Sequence, residues 1–237
     1  MTALLILALV CALTYGIEIV YGLAGTILML PVMSFWYPEK TLVIYSVMPQ
    51  ILVAVIGLAY SPRVVDLRYL AGMVLVATAG LLFGMWTFFW MDEDVYRRIL
   101  ALMFLVTGAW LLRTPHGFRF NPATARMLDL LGGVSQGLFG ISGPIMMARL
   151  LGSFDAKTVV RNYALAFFLV MNLSRTAGYV ARGSINREIL LMMAVTAPAL
   201  IGAAVIGNRL HHRVSERGFR RVVAWLIVVG GVVMLFR

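Results

Sequence analysis

Residues 137–151 read GLFGISGPIMMARLL, an apolar run that glycines and a proline interrupt at Gly137, Gly140, Gly143 and Pro144. Residues 22–33, GLAGTILMLPVM, have the same character. Aligned from Gly22 and Gly140, the two stretches share Gly25/Gly143, Ile27/Ile145 and Met29/Met147. Two broken apolar segments at matching places point to an internal repeat.

Around these stretches the chain is 62% hydrophobic and 13% charged over 237 residues, with a mean hydropathy of +0.92. Charge is absent from 19–38, 41–62, 69–91, 99–112, 189–208 and 222–236. Crossing roughly 30 Å of hydrocarbon takes about 20 mainly apolar residues. The composition therefore predicts an all-α polytopic membrane protein. The net charge of +10 falls in short loops, where it sets topology and meets headgroups, so no nucleic-acid partner is expected. The N-terminal residues lack a basic n-region and a small-residue cleavage site, which predicts a retained first span. A single cysteine, Cys11, excludes an internal disulfide and a cysteine-rich metal site.

Apolar segments are expected at Thr2 to Tyr21, Thr26 to Trp36, Thr41 to Tyr60, Leu67 to Trp90 and Val95 to Leu112. After a junction loop the series restarts at Met127 to Phe139, Pro144 to Leu151, Thr158 to Ala181, Glu188 to Gly207 and Phe219 to Phe236. The expected organisation is a first repeat over 1–112, a junction over 113–126 and a second repeat over 127–237, each a glycine-broken hairpin plus three spans. Trp36, Tyr37, Tyr60, Trp86, Trp90, Tyr96, Tyr179 and Trp225 lie near segment ends, as interfacial aromatics do.

Lysine and arginine counts separate two topologies. If each broken segment crosses once, the split is eight against nine, with no bias. If each is a hairpin returning to its own side, Arg63, Arg68, Arg113, Arg119, Arg126, Lys157, Arg209, Arg213, Arg217, Arg220 and Arg221 fall together. The other side keeps Lys40, Arg97, Arg98, Arg182, Arg187 and Arg237, a split of eleven against six. The positive-inside rule then favours hairpins, a cytoplasmic junction loop and both termini outside. A hairpin plus three spans ends on the side opposite its start, so the halves become inverted repeats, a recurring plan of secondary transporters with midplane sites.

The residues resemble the sulfite exporter TauE/SafE family of membrane permeases, whose two halves each open with a pattern of the kind G-x-x-G-G-G-x-x-x-x-P-x-L. Gly22-Leu-Ala-Gly25-Thr-Ile-Leu-Met-Leu-Pro31 matches in two glycines and the proline, Gly140-Ile-Ser-Gly143-Pro matches the second copy, and Leu151-Gly-Ser-Phe-Asp-Ala-Lys157 resembles the following turn. The likeness covers essentially the whole chain. Ala24, Thr26, Ser142 and Pro144 stand where glycine is usual, and Arg149 stands in place of a second proline. The resemblance implies a secondary transporter of the cell inner membrane, exporting sulfite or a related sulfur oxyanion or organosulfonate by alternating access, without a cofactor.

An anion site needs positive potential away from water, and half-helix N-termini supply it through free N–H groups and the helix dipole. The candidate binding residues are Gly22, Gly25, Thr26, Gly140, Ser142, Gly143, Arg149 and Arg175. Thr26 and Ser142 serve either as helix caps or as hydroxyl donors to a ligand. Arg149, Arg161 and Arg175 lie in or beside apolar runs, where a charge costs at least about 2.5–3.5 kcal/mol near the centre; each binds the anion or snorkels to an interface. Glu18 carries a coupling proton or pairs with an arginine. Gln50, Gln136, Asn162, Asn172 and Ser174 line a cavity or bond between helices. No G-x-S-x-G, H-E-x-x-H or P-loop pattern occurs, and the adjacent His211 and His212 cannot share one helix face, so enzyme signals are weak. A membrane-embedded enzyme and a non-transporting assembly protein remain the rival classes.

Overall fold

The computed structural model describes residues 2–21, 25–61, 64–113, 119–210, 228 and 232. Among them the chain is helical, with ten helices and no strand. The first half holds α1 (Thr2–Tyr21), α2 (Gly25–Met33), α3 (Glu39–Tyr45), α4 (Val47–Ala59), α5 (Leu67–Trp90) and α6 (Glu93–Arg113). The second holds α7 (Pro122–Phe139), α8 (Gly143–Leu151), α9 (Lys157–Ala181) and α10 (Arg187–Leu210). Five units are long and apolar enough to cross a membrane among the described residues: Thr2–Val20, Glu39–Ala59, Leu67–Trp90, Thr158–Ala181 and Arg187–Gly207. The molecule is a polytopic α-helical membrane protein. The expected last span, 219–236, and His211 and His212 lie outside the described residues.

Both broken segments are hairpins. Gly140 takes the left-handed conformation, φ +69°, and ends α7, after which α8 turns back along it. Arg149 pairs with Asp129, and Met146 meets Gly132, so contacts run backwards from the turn. In the first half the Gly25 N–H meets Glu18 and Thr26 meets Tyr15, the same antiparallel pattern. At nine residues each, α2 and α8 are about 14 Å long, far short of a bilayer core.

The two halves interlock reciprocally. The long hairpin leg α1 packs along α10, and its counterpart α7 packs along α5. Small residues make these contacts close: a Cβ on Gly133 would stand 1.9 Å from the Ala77 carbonyl oxygen, one on Gly84 2.3 Å from that of Val134, and one on Gly207 2.7 Å from that of Gly16. The α3–α4 unit runs antiparallel to its counterpart α9, with Val43 against Arg175 and Gly57 against Leu165.

Polar contacts sort the loops into two ends. At one end Arg119 reaches Asp155 at 3.5 Å, Tyr69 packs on Phe154, and the Asp66 N–H donates to the Tyr163 hydroxyl. At the other, Lys40 donates to the Met91 carbonyl, Arg97 pairs with Glu39, and Arg182 covers the Phe89 ring. This is the grouping expected of hairpins, and a single crossing by α8 would have separated Lys157 from the junction.

Two local expectations are corrected and one is refined. The span expected at Thr41 to Tyr60 is present as Glu39–Ala59 but is interrupted at Ser46, because Pro49 has no N–H to continue the ladder. Helix α7 starts at Pro122, five residues before the expected Met127, because Asn121 caps it by accepting from the Thr124 N–H at 2.8 Å and proline suits a first turn. Tyr96 and Tyr179, expected at interfaces, are buried and pack around Phe88 and Phe89.

Candidate functional site at the hairpin tips

The hairpins bring their breaks together in the interior. A narrow pocket there is lined by Glu18 from α1, Thr26 and Ile27 from α2, Gln50 from α4, Gln136 from α7, Ile141, Ser142 and Gly143 at the second break, and Phe168 from α9. Both halves contribute, and the polar members are all buried.

One chain of hydrogen bonds runs across the site. Tyr15 shares a bond with Thr26 at 3.1 Å, and the Gln50 amide donates to Thr26 at 2.6 Å and to the Gly140 carbonyl at 3.3 Å. Gln136 donates to Gln50 at 3.3 Å and to Asn172 at 3.2 Å, and its own carbonyl accepts from Ser142 at 2.7 Å. Arg175 donates to Asn172 at 2.9 Å and to both the Val43 carbonyl and the Tyr179 hydroxyl at 3.0 Å. The kink at Ser46 presents that Val43 oxygen, which also accepts from the Ser46 hydroxyl.

The two half-helix starts differ. The first N–H of α2, from Gly25, is taken by the Glu18 carboxylate at 2.8 Å. At α8 the Ser142 side chain occupies the cap position without bonding the helix, because its hydroxyl turns to Gln136, while the Ser135 hydroxyl donates to the Ile141 carbonyl. Gly143, the first residue of α8, lines the pocket, so the positive end of the α8 dipole lies at its edge; Pro144 has no N–H and the Met146 N–H is taken by the Ser142 carbonyl.

The expected residues separate accordingly. Glu18, Thr26, Ser142 and Gly143 line the pocket; Gly25 and Gly140 border it through the bonds above. Gly22 lies outside the described residues. Arg175 is fully buried, held one layer behind the pocket by Asn172. It packs on the left-handed turn so closely that a Cβ on Gly140 would stand 2.7 Å from its Nη2. Arg149 does not line the pocket: it pairs with Asp129 at 3.1 Å and donates to Tyr69 and Ser153, tying the legs of the second hairpin. Arg161 does not snorkel; it is buried and donates to the Ile19 carbonyl at 2.8 Å. Gln50, Gln136 and Asn172 form the hydrogen-bond chain, whereas Ser174 bonds only within its own helix, to Val170. Tyr15 and Phe168 went unnoticed in the sequence. Tyr15 lies one turn before Glu18 on the same helix face, which was the available signal.

The family model described as sulfite exporter TauE/SafE matches residues 6–234. The chain belongs to the sulfite exporter TauE/SafE family. Its hairpin breaks fall on the glycine patterns that carried the resemblance. It is also similar to the "Probable sulfite/organosulfonate exporter TauE" of Cupriavidus necator, at 24% identity over 140 residues. That alignment takes in 58% of this chain and 55% of the other, so it spans little more than half the length of that relative. No solved structure matches the chain.

Proposed function

We propose that this TauE/SafE family member is a secondary transporter that exports a small anion, sulfite or a related sulfur oxyanion or organosulfonate, by alternating access at the pocket between the hairpins. The observation that carries the reading is the convergence of both hairpin breaks, one from each half, on a single buried polar pocket. An oxyanion there takes bonds from the α8 first-turn N–H groups, the Ser142 and Thr26 hydroxyls and the Gln50 and Gln136 amides. Each of those side chains already bonds a neighbour, so binding rearranges the chain rather than filling a void. Arg175 adds positive potential from behind Asn172 without touching the ligand, which suits a site that must also release it.

The halves act as inverted repeats in this reading, which the antiparallel passage of α3–α4 along α9 supports. The loop end that gathers Arg68, Arg119, Arg126 and Lys157 is assigned to the cytoplasm of an inner-membrane protein, with both termini outside. The substrate gradient with the membrane potential, or a proton gradient, drives flux. The pocket carries no nucleophile paired with a base, which weighs against an enzyme.

Purified full-length protein in liposomes tests this. Saturable flux of sulfite, thiosulfate or a sulfonate is the expected result, with sulfate as a comparison. Product formation without flux would mean an enzyme, and neither result would leave an assembly protein.

A further inference from the structure

The offset of 118 residues that superposes Gly22 on Gly140 also superposes Glu18 on Gln136, since 18 plus 118 is 136. Both side chains are buried, at 2% and 0% exposure, both sit on the long leg of their hairpin shortly before the break, and both line the same pocket. One is a permanently neutral amide and the other an ionisable acid of the same shape. The chain thus holds a neutral and a chargeable version of one position on opposite sides of one site.

Among the described residues the surroundings of Glu18 give its charge no counterion. On its own helix it is near Tyr15; from α2 it accepts the Gly25 N–H, and it shares the pocket with Thr26 of α2 and Gln50 of α4. From α9, Arg161 is committed to the Ile19 carbonyl and Arg175 to Asn172, Val43 and Tyr179. Helix α10 meets this part of α1 with Ala203 and Gly207, and its charges among the described side chains, Arg187, Glu188 and Arg209, are at its ends. No ion pair to Glu18 occurs among the described residues. Its carboxylate instead takes the first N–H of α2, a donor that a bound anion would use.

We infer that the pocket binds its anion together with one proton on Glu18. Ionised, Glu18 occupies the Gly25 N–H and repels a second negative charge at a few ångströms. Protonated, it withdraws that charge and turns from acceptor to donor towards the ligand. The proton comes from water on the side to which the pocket opens and leaves with the anion on the other, so export of a singly charged anion moves no net charge and runs on the substrate gradient, not on the membrane potential or an inward proton gradient. This rests on the reading of the pocket as an anion site. Because binding takes up a proton, affinity falls as pH rises, by up to about tenfold per pH unit for one linked proton.

The test uses full-length protein in liposomes with methanesulfonate and thiosulfate, neither of which titrates between about pH 5 and about pH 9, the range open to a buried carboxyl. The wild-type half-saturation concentration is expected to climb with pH, and a lumenal pH dye to record one proton moved per anion. Glu18→Gln, which copies the side chain at position 136, is expected to transport with a flat pH profile and no proton signal. A Glu18→Gln protein that keeps the wild-type pH slope overturns the inference, as does one that melts like wild type yet moves neither probe at any pH. Should that variant not fold, the wild-type proton count decides alone: flux without a linked proton sinks the inference and leaves the transporter reading intact. No wild-type flux of either probe or of sulfite removes the anion site, and the linked proton with it.

Discussion

Arg175 and Arg149 look alike in sequence, each a lone cation in an apolar run, yet the fold gives them opposite surroundings. Arg175 has no carboxylate partner among its hydrogen bonds; Asn172, Val43 and Tyr179 hold it with neutral acceptors, so its charge remains available to the pocket. Arg175→Ala is expected to reduce anion flux at least tenfold at normal expression, and flux at the wild-type rate would remove it from the site. Arg149 spends its charge on Asp129. Removing one partner of a buried pair costs about 3–5 kcal/mol, whereas replacing both with apolar residues can be neutral. Arg149→Ala is therefore expected to lower the thermal midpoint in detergent, and Arg149→Met with Asp129→Leu to restore both stability and flux. A double variant that is stable but inactive would put Arg149 back among the binding residues. The sequence could not distinguish the two arginines, because the carboxylate that pairs with Arg149 is 20 positions upstream, and Arg175, held by Asn172 and Tyr179 on its own helix, takes its third acceptor from Val43, 132 positions away.

At the scale of elements, the glycines of the broken stretch do two different jobs. Gly140 supplies a left-handed turn with Arg175 pressed against it, so Gly140→Ala meets both a backbone penalty of roughly 1–2 kcal/mol and a steric clash with the guanidinium. Loss of flux with a lowered melting point is expected; a variant with wild-type flux and wild-type melting would be incompatible with the described turn. Gly133 instead lets α7 touch α5 backbone to backbone. Gly133→Leu should part those helices and abolish monodisperse protein on size exclusion. Hydropathy located α1 to the residue, because Gly22 marks the end of that run. It missed the start of α7, where Asn121 and Pro122 form a cap within what reads as a polar loop; it gave the Glu39–Ala59 span but not its interruption at Ser46, where one missing N–H leaves no trace in hydropathy. The polar chain was legible as separate residues, since Gln50, Gln136 and Asn172 are conspicuous in apolar spans. That they bond one another depends on helix packing, which periodicity does not encode.

For the whole molecule, charge counting anticipated which of the described loops share an end, because hairpins change the parity of every later loop. Which end faces the cytoplasm follows only from the positive-inside rule and has a direct check. In a Cys11→Ser background, Asp155→Cys is expected to react only with a thiol reagent reaching the cytoplasmic face and Asp94→Cys only with one added outside. Reaction of both from one side would overturn the two-ended arrangement.

The reciprocal clasp of α1 on α10 and of α5 on α7 carries a mechanical consequence. Each clasp joins the hairpin of one sequence half to a span of the other, through contacts too close to slide without breaking. The two halves of the chain therefore cannot rock against each other as separate bodies. Under the proposed alternating access, the opening motion would swing one clasp against the other, as the two blades of a pair of scissors, with the α4–α9 crossing as the pivot and the hydrogen-bond chain across it as the part that makes and breaks at each stroke.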